Sequence, residues 1–487
     1  MSLDPSDWSA FRALLHAAAD AVVDDLEHVR DEPAWRAVPD AVKTALAEPP
    51  PPGGEPLEAT LARFDALIRP YPTGNRHPRF FGWVHGGGNA AGVVAELLAA
   101  GMNANVGGRE HAAVYAERAV IAWFRELFGF PDNAGGVVTS GTSMGNLLAT
   151  VAARDAALGT SARAGGIGGA RLRAYAVHGV HDSVVKALRI AGLGENALQL
   201  IAAGASGAMD VGALRARIAA DRADGARPFL IVATAGSVDT GAFDDLHALA
   251  DLAHEHGAWL HVDGAFGALT IASPRHASLV DGIERADSLA FDAHKWLQVP
   301  YAAGVLLVRD EATLRAAFSS SPAYLARAAH GTASGAPWFA DYGLELSREF
   351  RALKIWFTLR HYGIDRLGAT VARTCDLARH LASAVARHDD LEMLAPVTLN
   401  VACFRAVRPG ADARALDAFN AAIAVAVQES GVAVPSTTRV GGALALRACI
   451  VNHRTTEADV EALVDAVRTA ARAVAQRDAA RAAEPQR

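Results

Sequence analysis

Cysteine is scarce in this chain: Cys375, Cys403 and Cys449 are the only three in 487 residues, and they stand late and far apart. That excludes a disulfide framework and a Cys-x-x-Cys metal knuckle, and it makes a reducing cytoplasm the simplest home. Long apolar runs are missing too. No window offers about 18 uninterrupted apolar residues, so no membrane span is expected. The first residues lack a basic region followed by an apolar stretch, so no export signal is expected. Neither sign of charge dominates: 46 Lys+Arg against 53 Asp+Glu give a formal charge of −7, which offers no footprint for nucleic acid or an anionic membrane. There is no internal repeat, no Walker loop and no G-x-G-x-x-G. His178 and His181 lack a third ligand at usable spacing, so no metal site is expected.

What is there is a folding chain with 51% apolar residues. At roughly 100–200 residues per domain, the length suggests two to four structural units. From Trp8 to Leu46 the pattern is amphipathic and helical, and it ends in a Pro-Pro-Pro-Pro-Gly-Gly breaker at 49–54. A second helical stretch, Leu57 to Ile68, completes an N-terminal arm too small to bury its own core. Between about Gly88 and Asp310, helical runs alternate with short apolar ones at Gly136–Ser140, Leu172–Val177, Phe229–Thr234, Trp259–Asp263, Ser288–Phe291 and Gly304–Val308. Near-continuous apolar strands predict a sheet buried on both faces by helices, hence a mainly parallel α/β fold. After a helical segment around Phe350–Tyr362, strands are expected at Val397–Phe404, Val432–Val434 and Ala443–Val451. A last helix is expected to open at Thr456, with Asp459 completing a capping box.

In a parallel sheet, ligands bind at the carboxyl ends of the strands, so the polar groups that follow each run carry the functional argument. Asp292-Ala293-His294-Lys295-Trp296 ends one strand and His261-Val262-Asp263-Gly264-Ala265 ends the one before it. A lysine amine able to form a Schiff base, and a carboxylate able to keep a pyridine nitrogen protonated, are what pyridoxal 5'-phosphate (PLP) requires. Lys295 and Asp263 fit those roles. Thr139-Ser140-Gly141-Thr142-Ser143 reads as strand, glycine turn and helix start, where backbone N–H groups and the hydroxyls of Thr142 and Ser143 suit a phosphate, with His294 in reach of the same group. His181 follows another strand and supplies a flat ring to stack on the cofactor.

With these motifs in order, the chain resembles the group II PLP-dependent amino-acid decarboxylases. The resemblance rests on His77-Pro78-Arg79-Phe80-Phe81-Gly82, the Thr139–Ser143 turn, His181-Asp182-Ser183-Val184, His261–Ala265, Asp292–Leu297, Ser347–Lys354 and Arg454-Thr455-Thr456. It implies the fold type I architecture: a seven-stranded, mainly parallel central sheet, an N-terminal helical arm at 1–76 used in dimerisation, a large PLP-binding domain at 77–345 and a small α+β domain at 346–487. It further implies a homodimer and a lysine Schiff base at Lys295. Asp263 is to pair with the pyridine nitrogen, His181 to stack on the ring and Ala265 to pack on its other face. Asp292 stands where the animal aromatic enzymes carry Asn. Tyr342, in the segment between Tyr324 and Arg348, is the expected loop proton donor. Trp83, His85 and Arg447 are candidate substrate residues; Arg447 lies on an otherwise apolar strand, and a buried arginine calls for an anion. The expected reaction is loss of CO2 from an L-amino acid, aromatic ones first, to give the amine. An aldehyde synthase or a C–C lyase on the same fold is the alternative, and a non-catalytic cofactor-binding protein is the alternative of another class.

Overall fold

The computed structural model describes residues 2–159, 161–320 and 326–483. The chain divides into two units, one of Val84–Ala378 with Val397–Val401, the other of Met1–Trp83, Arg379–Pro396 and Ala402–Arg487.

The larger unit is built on seven strands among the described residues: β1 Gly135–Thr139, β2 Leu172–Val177, β3 Leu198–Ile201, β4 Arg227–Thr234, β5 Trp259–Asp263, β6 Ser288–Asp292 and β7 Gly304–Val308. Their spatial order is β1-β7-β6-β5-β4-β2-β3. β7 runs antiparallel to both neighbours, and the other pairs are parallel. β1, β6 and β7 are buried at every position, which is why their sequences lack alternation. β3 escaped the reading of strands because it is a four-residue edge strand, Leu198-Gln199-Leu200-Ile201, with only Ile201 fully buried. Because β7 is reversed, its first residue shares a sheet edge with the last residues of β1 and β6, as the pairs Thr139↔Gly304 and Asp292↔Gly304 show.

Helix Thr142–Leu158 packs across β4 to β7. Aromatic pairs such as Phe124 edge-on to Phe291 (4.9 Å) and Phe266 edge-on to Trp296 (5.5 Å) fill the interior. Beneath this core, Arg348 and Glu117 form a fully buried ion pair at 2.6 Å. Arg348 also donates to the Val106 and Val138 carbonyls, and Glu117 accepts from the Val138 N–H, so each charge is enclosed by partners.

The other unit holds a four-stranded sheet among the described residues, made of β8 Leu391–Met393, β9 Val401–Ala406, β10 Ser436–Val440 and β11 Ala443–Cys449, in the order β10-β11-β9-β8. The strand expected at Val432–Val434 is displaced to Ser436–Val440. Val434 makes an isolated parallel bridge to Phe80 and accepts from the Phe81 N–H, so the N-terminal chain occupies that edge. The helical pattern read from Trp8 to Leu46 is two helices, Trp8–Glu27 and Asp40–Leu46, parted by the Pro33 turn. Arg30 pairs with Asp459 at 2.8 Å, while Asp459 also accepts from the Thr456 N–H, which is one half of the expected capping box, and from the Thr456 hydroxyl.

Candidate active site

The carboxyl ends of β5 and β6, the start of β7 and the turn after β1 meet at one edge of the large sheet. Gly304 makes the meeting close: a Cβ there would lie 2.6 Å from the Gly141 backbone and 3.0 Å from Asp292 Oδ1. Asp292, almost wholly buried, uses that approach. Its Oδ1 accepts from the Thr142 N–H at 2.7 Å and its Oδ2 lies 2.8 Å from Lys295 Nζ. Burial, the largest single influence, pushes the Asp292 carboxyl up, but the Lys295 and His294 charges and the hydrogen bonds from Lys295 and the Thr142 N–H together hold it below the usual carboxylate range. His294 Nε2 stands 3.7 Å from the same Oδ2. Burial lowers the His294 imidazole, so at neutral pH the counter-charge of Asp292 is Lys295. The His294 ring lies on Tyr301 (4.2 Å, 35°), and His85 meets Tyr301 edge-on at 5.8 Å. His85 is lowered by burial first and by the Lys295 charge second, which places it beside the lysine. The strap His85-Gly86-Gly87 runs against the Lys295 backbone: a Cβ on Gly86 would stand 2.1 Å from His294 O and 2.6 Å from Lys295 O.

Asp263 closes the next strand. Its Oδ2 accepts from Asn146 Nδ2 at 2.9 Å and its Oδ1 from the Ala265 N–H at 3.2 Å. Asn146 also reaches Ser183 Oγ (2.9 Å), which lies 2.7 Å from His181 Nδ1. His181, Asp263 and the helix bearing Thr142 are thereby one connected group. Asn146 was not singled out from sequence; the signal available was a polar residue one turn into a helix that follows a candidate phosphate turn.

The residues can be tested for their fit to PLP. Helix Thr142–Leu158 begins without a side-chain cap, and the buried Thr142 Oγ1 has no hydrogen-bond partner. The Thr142 N–H is taken by Asp292, so what the helix start offers an anion is its unused buried hydroxyl. Thr234 Oγ1, at the end of β4, is likewise buried without a partner. An amine on a carboxylate, a second carboxylate on the neighbouring strand and these vacant donors are the donor set of a phosphorylated pyridine aldehyde, so the fit is good. Ser143 is exposed beside Thr142, and Ala265 is half-buried beside Asp263.

Two candidates belong to the other unit. Trp83 is half-exposed, while Arg447 is buried on β11, donating from Nη1 to Trp83 O and Ser436 Oγ, both 3.2 Å, with Nε and Nη2 unpartnered. Tyr342 is the expected loop proton donor. Its side chain is buried and its hydroxyl donates to Glu311, which packs on Gly135 in a cavity of about 290 Å³. Gly135 begins β1, so this cavity sits at the opposite end of that strand from the Thr142 turn, about 14 Å away at ordinary strand rise. Phe339 stacks on Tyr342 at 5.6 Å and helps to fix it there. Tyr324 lies outside the described residues.

The sequence matches the model of the pyridoxal-dependent decarboxylase conserved domain over residues 39–407. An aromatic-L-amino-acid decarboxylase of Bacillus atrophaeus is 32% identical, over 91% of this chain and 92% of that one. A phenylacetaldehyde synthase of Arabidopsis thaliana is 29% identical, over 94% of this chain and 95% of that one. Among solved structures, Oryza sativa TDC with PLP and tryptamine superposes with a TM-score of 0.88 at 28% identity, covering 96% of this chain and 99% of that one. The domain match, the relatives and the cradle around Lys295 agree, and the chain belongs to the pyridoxal-dependent decarboxylase family, as a PLP-dependent amino-acid carboxy-lyase.

Proposed function

We propose that this enzyme decarboxylates an aromatic L-amino acid to its amine, with Lys295 as the cofactor-bearing lysine. The observation that carries the reading is the pairing of Lys295 Nζ with Asp292 at the edge where Asp263 and the vacant Thr142 hydroxyl converge. Bound PLP supplies the electron sink into which the bond to the carboxylate breaks. Every other task falls to the chain. Asp292 Oδ2, staying ionised, holds Lys295 Nζ in place at this edge. Thr142, Ser143 and His294 are assigned to the phosphate, Asp263 to the pyridine nitrogen, and His181 and Ala265 to the two ring faces. His85, beside the lysine, is assigned to substrate recognition; Trp83 and Arg447 are kept as candidates for the same role, the two unpartnered nitrogens of Arg447 offering donors to an acidic group.

Tyr342 keeps the assignment of loop proton donor, a role that requires its contacts with Glu311 and Phe339 to be released. The relatives' names support aromatic substrates, and the phenylacetaldehyde synthase keeps aldehyde formation as the second outcome. Helices Trp8–Glu27 and Leu57–Leu67 bury no residue within the chain, and Trp8, Val23, Leu57 and Ile68 are exposed. That supports a homodimer in which residues 1–76 cover a partner. On this reading 77–345 form the cofactor domain and 346–487 the small domain. Among the described residues no helix is long and apolar enough to cross a membrane; we assign the enzyme to the cytoplasm. The test is CO2 release with mass-spectrometric product identification across the twenty amino acids and hydroxylated aromatic ones. Amine from an aromatic substrate supports the proposal, aldehyde selects the second outcome, and release from none overturns both. Sedimentation at 50.8 kDa rather than twice that would remove the dimer.

A further inference from the structure

Asn146 stands at the centre of a chain of buried hydrogen bonds whose direction can be read from its ends. At one end, the Trp259 indole Nε1 lies 2.7 Å from Ser288 Oγ, and an indole nitrogen can only donate. Ser288 Oγ is 2.8 Å from His261 Nδ1, and His261 Nε2 is 2.9 Å from Asn146 Oδ1. At the other end, Asn146 Nδ2 is 2.9 Å from both Asp263 Oδ2 and Ser183 Oγ, and an ionised carboxylate can only accept. The Asn146 amide is therefore oriented with its nitrogen toward Asp263 and its oxygen toward His261. His261 must donate from Nε2. Wholly buried, and with its pKa pushed down to about 4, it is a neutral ring whose Nδ1 accepts from the Ser288 hydroxyl. Beyond Asn146, Ser183 Oγ accepts the amide proton and passes its own to His181 Nδ1 at 2.7 Å, where the Ser183 N–H also points at 3.2 Å. A nitrogen that receives two donors carries no proton.

We propose that Asn146 and His261 are positioning residues of a one-way hydrogen-bond wire, from Trp259 to Asp263 and His181, that fixes His181 as its Nε2–H tautomer and presents Asp263 as an oriented acceptor. Geometry sets the direction at Asn146 and at His181, where a reversed link would aim lone pairs or donors at each other inside the core, and the neutral state of the buried His261 sets it at Ser288. The inference rests on the proposed site in one respect: Asp263 and His181 matter to PLP only if the cofactor sits there.

Asn146→Asp tests it, because the new carboxylate keeps the shape and reverses the polarity: Ser183 must then donate toward position 146, and His181 Nδ1 must donate to Ser183. Solid-state 15N spectra of the full-length protein with labelled histidine, recorded with and without PLP, read the tautomer; His181 is assigned by its loss in His181→Gln. The expected result is a pyridine-type Nδ1 in the native protein and a protonated Nδ1 in Asn146→Asp, with PLP dissociation raised by about tenfold or more, since two carboxylates then face each other. If the Asn146 variant does not fold, His261 supplies the second test. His261→Gln keeps a donor to Asn146 and should hold PLP within about threefold of native, whereas His261→Leu should weaken it about tenfold. A native His181 protonated on Nδ1, an unchanged tautomer in Asn146→Asp, or equal PLP affinity in the two His261 variants overturns the proposal. Failure of the site assignment looks different: Lys295→Ala would leave the cofactor spectrum unchanged while the tautomer result stood.

Discussion

Replacing Gly86 by alanine adds one methyl group at the narrowest approach in the site. The added carbon would stand 2.1 Å from the carbonyl oxygen of His294 and 2.6 Å from that of Lys295, where ordinary contact begins near 3.4 Å. Both obstacles are backbone atoms, so rotation of a side chain cannot relieve them. The strap or the Lys295 turn must move by more than about 1 Å. A misplacement of that size at a reacting group costs on the order of a hundredfold in rate, or about 2.7 kcal/mol of transition-state stabilisation. Fold stability should suffer less, because β5 and β6 pair independently of the strap. The assay is kcat/KM for CO2 release, beside a thermal melt and a PLP titration of the same preparation. Gly86→Ala with kcat/KM within about threefold of native would refute the argument that this strap sets the position of Lys295.

Other expectations follow from the same geometry. His261 is buried neutral with a folded pKa of about 4 against an unfolded value of 6.5. Below pH 6.5 the unfolded chain takes up a proton that the folded one refuses, so stability present above 6.5 falls away down to about pH 4, by about 3 kcal/mol in all; the stability gap between native protein and His261→Gln should narrow over that window in denaturant titrations. Thr142→Val removes the vacant hydroxyl while keeping the shape, and PLP dissociation measured by fluorescence should rise about tenfold, the worth of one hydrogen bond to a charged group. Arg348→Met leaves Glu117 charged and fully buried, and unfolding measurements should show a loss of about 3–5 kcal/mol. Tyr342→Phe should lower kcat or divert the product from amine to aldehyde, and an unchanged amine yield and kcat would remove it as the proton donor.

The large sheet was legible because strands buried on both faces carry unbroken apolar runs, and because chemistry follows them: Asp263 is the first polar group beyond Val262, and Asp292, His294 and Lys295 follow Phe291. β3 was not, since a half-exposed edge strand carries no such run. The C-terminal strand at Ser436–Val440 was hidden for a similar reason, its Thr-Thr-Arg alternating toward solvent. The contact that Tyr342 makes with Glu311 was not legible, because the two residues are distant in sequence. Asn146 was missed because its partners, Ser183, His261 and Asp263, lie 37, 115 and 117 positions away.

Strand pairing has a consequence for how such an enzyme is made. β5 and β6 are in register as Asp263↔Ala290, two residues short of Asp292, so both carboxylates reach the same edge only in this alignment. A slip of one residue would turn one of them to the other face of the sheet. The coenzyme therefore inspects the fold: a chain that has paired its strands wrongly has no seat for it. In a cell, uptake of PLP would sort correctly assembled molecules from compact but misaligned ones, and the yellow colour of a preparation would measure how much of it has folded true.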